Sequence, residues 1–109
     1  RVLLTNAPDV RLAEALEALG LAGRFDRIVT DAAKPAGLEA LLDELDPARP
    51  VLSIGDIWRN DLAPAHARGH ATALVGTSVT PDAQPTYRAA RLDDLLDDIA
   101  RWALAARVA

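Results

Sequence analysis

The sequence predicts an α/β fold, a three-layer, doubly wound (Rossmann-like) parallel sheet with helices on both faces. Two observations carry this prediction. Apolar runs of strand length alternate with segments of helical periodicity, and the strand runs are apolar throughout instead of alternating with polar residues. Strands without a polar face are covered on both sides, which is typical of parallel sheets. We predict the order β-α-β-α-β-α-β-α in a single domain that spans residues 1–109.

Each predicted strand is a short apolar run bounded by loop residues. The first run ends in Thr5-Asn6-Ala7-Pro8, and the third ends in Gly55-Asp56, both of which are typical of loops. We predict strands over residues 2–4, 28–29, 51–54 and 71–75.

The predicted helices lie between and after these runs. Their leucines recur at intervals of three and four residues, as in Leu38, Leu41, Leu42 and Leu45, which gives a helix one apolar face. Gly20 stands where a helix C-cap is expected, and Asn60 or Asp61 stands where an N-cap is expected. We predict helices over residues 9–19, 35–45 and 60–69, and from about residue 92 onwards.

The composition excludes several classes of function. The net charge is −4 and Lys34 is the only lysine, so we expect no nucleic-acid surface, which needs a basic stripe. The absence of cysteine excludes disulfides and thiolate metal sites, and it fits a reducing compartment such as the cytoplasm. No apolar run reaches the ~20 residues of a membrane span, so we expect no membrane partner.

Polar residues follow three of the predicted strands, at the end where open parallel sheets bind ligands. Thr5 and Asn6 follow the first strand, Lys34 the second, and Asp56 and Asp61 the third. The Thr5 hydroxyl and nearby backbone N–H groups can donate to phosphoryl oxygens, and Lys34 can neutralise their charge. The carboxylates of Asp56 and Asp61 are oxygen ligands suited to Mg²⁺. The set predicts a site for a phosphoryl group and a divalent metal.

In order and spacing, these residues resemble three motifs of the haloacid dehalogenase-like (HAD-like) hydrolases. Thr5-Asn6 is similar to the Ser or Thr that ends one strand, and Lys34-Pro35 to the lysine that opens a helix. The Gly-Asp-x-x-x-x-Asp stretch of residues 55–61 is similar to the acidic motif. The segment of residues 19–26, with its "LGL…FD" pattern, and the strand after Gly69 also resemble the family. The resemblance therefore covers nearly the whole chain.

The resemblance implies a HAD-like core domain and a Mg²⁺-dependent phosphatase that acts on a small phosphorylated metabolite through an aspartyl-phosphate. It implies that Thr5, Asn6 and Lys34 bind the substrate, and that Thr5 and Lys34 serve catalysis. By the same resemblance Asp56 binds Mg²⁺, and Asp61 supports the metal shell or orients Lys34.

The sequence departs from the family pattern at the nucleophile. The family's nucleophile stands in an Asp-x-Asp motif at the end of a central strand, and no predicted strand here ends in that motif. We therefore expect this strand and the substrate-selecting cap upstream of Arg1, with the strand lying between the first and third strands of this chain. The isolated chain is then expected to be inactive. Two arrangements without this strand stay open: the first strand pairs directly with the third, or another chain fills the gap, as in a homodimer.

Two alternative functions stay open, and a third is disfavoured. A haloacid dehalogenase shares the fold and needs no metal, and a degenerate HAD-like domain serves as a binding or interaction module. A phospho-receiver-like domain is disfavoured, because its acidic pair should follow the first strand, where Thr5-Asn6 stand. The residues before Arg1 distinguish these functions: Asp-x-Asp supports the phosphatase, a single Asp supports dehalogenase or mutase chemistry, and no Asp supports the interaction module. Trp58 in the acidic motif has two interpretations, as a residue at the substrate entrance or as a core residue.

Overall fold

The computed structural model describes residues 1–78 and 80–108. Its elements are, in order, β1 (Val2–Leu4), α1 (Leu12–Ala18), β2 (Arg27–Val29), α2 (Ala36–Glu44), β3 (Leu52–Gly55), a π-helical turn (Trp58–Leu62), α3 (Ala63–Ala67), β4 (Ala71–Val75), β5 (Tyr87–Ala89), a 3₁₀ turn (Leu92–Leu95) and α4 (Leu96–Val108). The alternation of strands and helices confirms the predicted α/β class. No helix within these two ranges combines the length and the apolar character needed to span a bilayer.

All strand pairs are parallel, as predicted, and the described strands divide between two sheets. β1 pairs with β2, from Val2 opposite Arg27 to Leu4 opposite Val29. β3, β4 and β5 form the second sheet in that order. β1 and β3 do not pair with each other, so each of them has one edge that no described strand occupies.

β5 is an element that the hydrophobic pattern does not predict. Its three residues include Arg88, which interrupts any apolar run, and an alanine, which is depleted in strands, and among the described strands it pairs with β4 alone. Two reciprocal hydrogen bonds hold its start. The Thr72 N–H donates to Oγ1 of Thr86 at 3.0 Å, and the Thr86 N–H donates to Oγ1 of Thr72 at 3.2 Å. Tertiary hydrogen bonds, more than local propensity, therefore place this strand.

Three helix starts differ from the predictions. The last helix, predicted from about residue 92, is preceded by the 3₁₀ turn Leu92–Leu95 and begins at Leu96. α1 begins at Leu12 and not at residue 9, because Arg11 has a left-handed backbone (φ 57°) that a right-handed helix cannot include. Its end is as predicted, with Gly20 in the left-handed region (φ 73°). The helix predicted from residue 60 begins as a π-helical turn and becomes α3 only at Ala63, and the predicted N-cap bond from Asp61 is absent from both elements.

The core beneath α2 contacts both sheets. Leu38 and Leu42 of α2 form a buried cluster with Ala65 of α3. Leu4 of β1 and Val51, which precedes β3, pack against this cluster. Residues of α2 and α3 therefore pack against β1 and against the residue before β3.

A second cluster contains Trp58, Leu62 and Leu74. The Trp58 side chain is buried, and the centroid of its ring lies 5.3 Å from that of His66. Of the two interpretations of Trp58, core packing is therefore the one that the structure supports.

Candidate functional site

The loops that follow β1 and β2 are joined by hydrogen bonds. The Ala32 N–H donates to the carbonyl oxygen of Thr5 at 2.9 Å. The Lys34 N–H donates to Oδ1 of Asn6 at 2.7 Å. These bonds bring Thr5 and Asn6 beside the loop that carries Lys34, as the convergence of parallel strand ends leads one to expect.

Thr5 is held at the end of β1 by its backbone and its side chain. Its N–H donates to the carbonyl oxygen of Val29 at 3.0 Å, which extends the β1–β2 pairing by one bond. Its hydroxyl oxygen accepts a hydrogen bond from the Ala7 N–H at 3.1 Å. A hydroxyl has one donor and two acceptor positions, so this bond leaves the hydroxyl hydrogen for donation to an anion.

An ion pair between Lys34 and Asp61 joins the loop after β2 to the turn after β3. The distance from Lys34 Nζ to Asp61 Oδ1 is 2.5 Å, and the side chains are 17% and 9% exposed. Charges at this degree of burial are screened less by solvent than a surface pair. The ion pair therefore links the two sheets at the carboxyl ends of their strands.

The other polar atoms of Asp61 are also bonded within the chain. Oδ2 accepts from the Ile57 N–H at 3.1 Å, and the carbonyl oxygen accepts from the Ser53 hydroxyl at 2.5 Å. With Lys34 on Oδ1, both carboxylate oxygens have protein donors. Of the two roles expected for Asp61, these contacts favour the orientation of Lys34 over direct metal ligation.

Two glycines are required by close approaches around this ion pair. A Cβ atom at Gly55 would lie 2.4 Å from Cβ of Asp61 and 2.6 Å from its Oδ2. A Cβ atom at Gly37 would lie 1.8 Å from the carbonyl oxygen of Ala32. All three distances are far inside van der Waals contact, so a larger residue at either position displaces a neighbour. Glycine stands at position 55 for steric reasons, because the side chain of Asp61 covers it.

Asp56 is the exposed carboxylate of the acidic turn. Mg²⁺ requires an octahedral set of oxygen ligands. Within residues 1–78 and 80–108, no group of three or more His, Asp or Glu side chains is placed to hold a metal ion. The described residues therefore fit one ligand of a magnesium site, Asp56, and do not fit a complete one.

The contacts place the predicted site residues along one continuous path. Hydrogen bonds connect Asn6 to Lys34 and Lys34 to Asp61. Thr5 directly precedes Asn6, and Asp56 directly precedes the residue whose N–H donates to Asp61. The structure adds Ser53 to this set, and its sequence signal is a hydroxyl inside an otherwise apolar strand.

A cavity of about 370 Å³ lies elsewhere, between α1 and β2. Its lining is mostly apolar and consists of Asp9, Leu12, Ala13, Leu16, Ala22, Gly23, Ile28 and Thr30. None of the five predicted site residues lines it, so this cavity is not part of the candidate site.

The sequence matches a known family over most of its length. A profile of the HAD-hydrolase-like family matches residues 12–102, which is more than half of the chain. No curated protein gives a significant match.

The fold is similar to those of three solved structures. The putative HAD-hydrolase YfnB from Bacillus subtilis, solved with bound magnesium, has a TM-score of 0.70 at 21% identity, over 90% of this chain and 48% of that protein. A HAD phosphatase from Thermococcus onnurineus has a TM-score of 0.63 at 18% identity, over 90% of this chain and 49% of that protein. A 2-haloacid dehalogenase from Pseudomonas syringae pv. Tomato DC3000 has a TM-score of 0.64 at 22% identity, over 93% of this chain and 46% of that protein. The chain thus spans about half the length of each.

Proposed function

The chain belongs to the HAD-like hydrolase family, and we propose that it forms most of the catalytic half of a Mg²⁺-dependent phosphatase for a small phosphorylated metabolite. The observation that carries this proposal is the bonded path from Asn6 through Lys34 to Asp61, next to the exposed carboxylate of Asp56. It joins an amide, an ammonium and a carboxylate, and the Thr5 hydroxyl stands on the residue before Asn6.

Each residue of this path has a distinct role in the proposal. Thr5 and Asn6 donate hydrogen bonds to the phosphoryl oxygens, and Lys34 neutralises charge on the phosphoryl group and on the attacking carboxylate. Asp61 keeps the Lys34 ammonium in place. Asp56 supplies one oxygen ligand to Mg²⁺, which when bound neutralises phosphoryl charge.

The nucleophile of the proposed reaction comes from outside the described residues. Among these residues no strand ends in Asp-x-Asp. β1 and β3 each have an edge without a described partner strand, and Leu4 and Val51 pack against the same buried cluster. A parallel strand between β1 and β3 would complete one sheet and would end between Thr5 and Asp56.

The reaction assigned to the full-length protein has two steps. An aspartate oxygen attacks phosphorus, the bond from phosphorus to the ester oxygen breaks, and the leaving alcohol takes a proton from a general acid. Water then hydrolyses the aspartyl-phosphate to carboxylate and inorganic phosphate. The isolated chain is proposed to be inactive because it lacks the attacking aspartate.

Haloacid dehalogenation is the second candidate. Its support is the fold similarity to the Pseudomonas syringae dehalogenase. The acidic turn with Asp56 and Asp61 favours the metal-dependent reaction, because dehalogenation by this fold needs no metal.

Hydrolysis of p-nitrophenyl phosphate by the full-length protein, with and without Mg²⁺, tests the proposed function. We expect Mg²⁺-dependent turnover that falls on the order of 10²-fold or more in Lys34→Ala and in Asp56→Asn, because each removes charge stabilisation of the transition state. Asp94→Asn, which alters an exposed carboxylate on the 3₁₀ turn, is the matched control and should retain wild-type turnover.

Three outcomes would contradict the proposal. Metal-independent release of chloride from 2-chloropropionate would support the dehalogenase. A full-length protein without turnover of either substrate would support the interaction module. Turnover by the isolated 109-residue chain that survives Lys34→Ala and Asp56→Asn would contradict the assigned residues.

A further inference from the structure

The side chain of Asn6 reaches the backbone of a distant loop. Its Oδ1 accepts the Lys34 N–H at 2.7 Å, near the short end of the usual range for this bond. Lys34 lies 28 residues further along the chain. An asparagine in an ordinary turn bonds to a backbone group only two or three residues away. The contact is therefore a tertiary one, and the local turn does not explain it.

The loop that carries Lys34 has an unusual backbone. Asp31 and Ala33 have positive φ angles of 48° and 51°. Residues with a Cβ atom are uncommon in this region, and surrounding contacts have to hold them there. The N–H that Asn6 accepts belongs to the residue directly after Ala33. The bond therefore fixes the chain at the point where the strained segment ends and the Lys34 side chain begins.

We propose that Asn6 is a positioning residue, which holds Lys34 through its backbone so that the ammonium reaches Asp61 and the phosphoryl group. The contact stands on its own geometry, and its value for catalysis rests on the proposed function. Asparagine suits both tasks, because its amide oxygen accepts the Lys34 N–H while its amide nitrogen can donate to an anion. An aspartate would keep the first task and place a negative charge beside the phosphoryl group. Serine is too short to span the same distance.

Hydrogen exchange of the Lys34 amide, measured by NMR on the 109-residue chain, tests the contact. Asn6→Leu keeps the size of the side chain and removes the acceptor, so we expect Lys34 exchange to rise on the order of tenfold. Asn6→Asp keeps an acceptor oxygen and should retain the protection. The Ala32 amide, which donates to the carbonyl oxygen of Thr5, is the internal reference for the charge that aspartate adds.

Two exchange results would overturn the proposal. One is an unchanged ratio of Lys34 to Ala32 exchange in Asn6→Leu. The other is an equal loss of protection in Asn6→Asp and Asn6→Leu, since any change at position 6 would then disturb the loop. Asn6→Ala replaces Asn6→Leu if the leucine variant does not fold, and the same criteria apply.

Acetylation of the Lys34 amine gives a second readout that separates this inference from the proposed function. Lys34 is the only lysine of the chain, and we expect it to react faster in Asn6→Leu and no faster than in the wild type in Asn6→Asp. Unchanged reactivity in Asn6→Leu would overturn the positioning role, whatever the phosphatase assay gives. If these rates behave as expected and the full-length protein has no phosphatase activity, the positioning of Lys34 stands and the proposed function fails.

Discussion

The N-terminal part (β1, α1 and β2) and the C-terminal part (β3, the π-helical turn, α3, β4 and β5) differ in how they bury apolar side chains. In the C-terminal part, Leu62 and Ala73 have no exposed surface. In the N-terminal part, Val10 is 72% exposed and Leu19 is 70% exposed. Because buried apolar area is the dominant favourable contribution to folding, we expect the C-terminal part to contribute more to the free energy of unfolding than the N-terminal part.

The candidate site lies where these two parts meet. Thr5 and Asn6 belong to the loop after β1, whereas Asp56 and Asp61 belong to the turn after β3. Polar contacts of Lys34 join the two sides. We therefore expect core substitutions to change the free energy of unfolding most strongly, and polar substitutions at the junction to change the geometry of the site.

The largest expected effect is the difference between two matched leucine truncations. Leu62→Ala should lower the free energy of unfolding by about 2–5 kcal/mol, because it leaves a cavity at a fully buried position. Leu19→Ala should change it by less than about 0.5 kcal/mol, because that side chain is mostly exposed. Urea unfolding of both variants measures the difference. Equal losses would mean that the N-terminal part is packed as tightly as the C-terminal part.

The next effect concerns the ion pair at the junction. Lys34→Met removes the ammonium and leaves the 9%-exposed Asp61 without its charged partner, so we expect a loss of about 1.5–3 kcal/mol. Asp61→Asn should cost less than the lysine substitution, because an amide oxygen still accepts from the Ile57 N–H. A double-mutant cycle by urea unfolding gives the coupling free energy. A coupling free energy near zero would show that the ion pair does not link the two parts.

A smaller effect is expected at the glycine beneath Asp61. Gly55→Ala places a Cβ atom 2.4 Å from Cβ of Asp61, so we expect a loss of about 1–2 kcal/mol as Asp61 shifts. Lys34 should then become more reactive towards acetylation, because its partner has moved. Wild-type stability together with wild-type Lys34 reactivity would argue against the close approach at Gly55.

The smallest effect is a pH dependence at the surface of the N-terminal part. The guanidinium of Arg27 on β2 donates to Glu44 of α2 at 2.6 Å, and this hydrogen bond and its charge lower the pKa of the Glu44 carboxyl from 4.5. A lowered pKa in the folded state stabilises the fold above the unfolded-state pKa, and this contribution is lost as the pH falls through the folded value. Both side chains are about half exposed, so the effect is small.

Glu44→Gln measures this contribution. We expect the wild-type chain to exceed the variant slightly in unfolding free energy at pH 7, and the difference to vanish in acid below the lowered pKa. A difference that grows as the pH falls would have the wrong sign and would contradict the assignment. Glu17→Gln, which alters an exposed carboxylate on α1, is the matched control.

The sequence predicts the buried strands and the order of the site residues better than it predicts local detail. Ala71–Val75 is predicted with its observed bounds, because a strand covered on both faces leaves an apolar run, which only Thr72 interrupts here. β5 is missed because its pairing depends on the Thr72–Thr86 bonds. The cap predicted for Asp61 is wrong, because its carboxylate bonds to Lys34 and Ile57 instead.

Other site details depend on contacts between distant segments, which periodicity does not encode. The bond from Lys34 to Asn6 joins two loops that are 28 residues apart. Spacing alone predicts that these residues lie at one edge of the fold. Which atoms bond to each other is known only from the structure.

The most direct test of the account is whether phosphate protects Lys34 in the full-length protein. Trypsin does not cleave before proline, so Lys34 lies in a peptide of residues 28–59 as its only lysine, and mass spectrometry follows its acetylation. We predict that inorganic phosphate with Mg²⁺ slows this acetylation in the wild type and loses its effect in Thr5→Val and Asp56→Asn. Acetylation that phosphate does not change, in a protein that hydrolyses phosphate monoesters, would contradict a shared site for Thr5, Lys34 and Asp56.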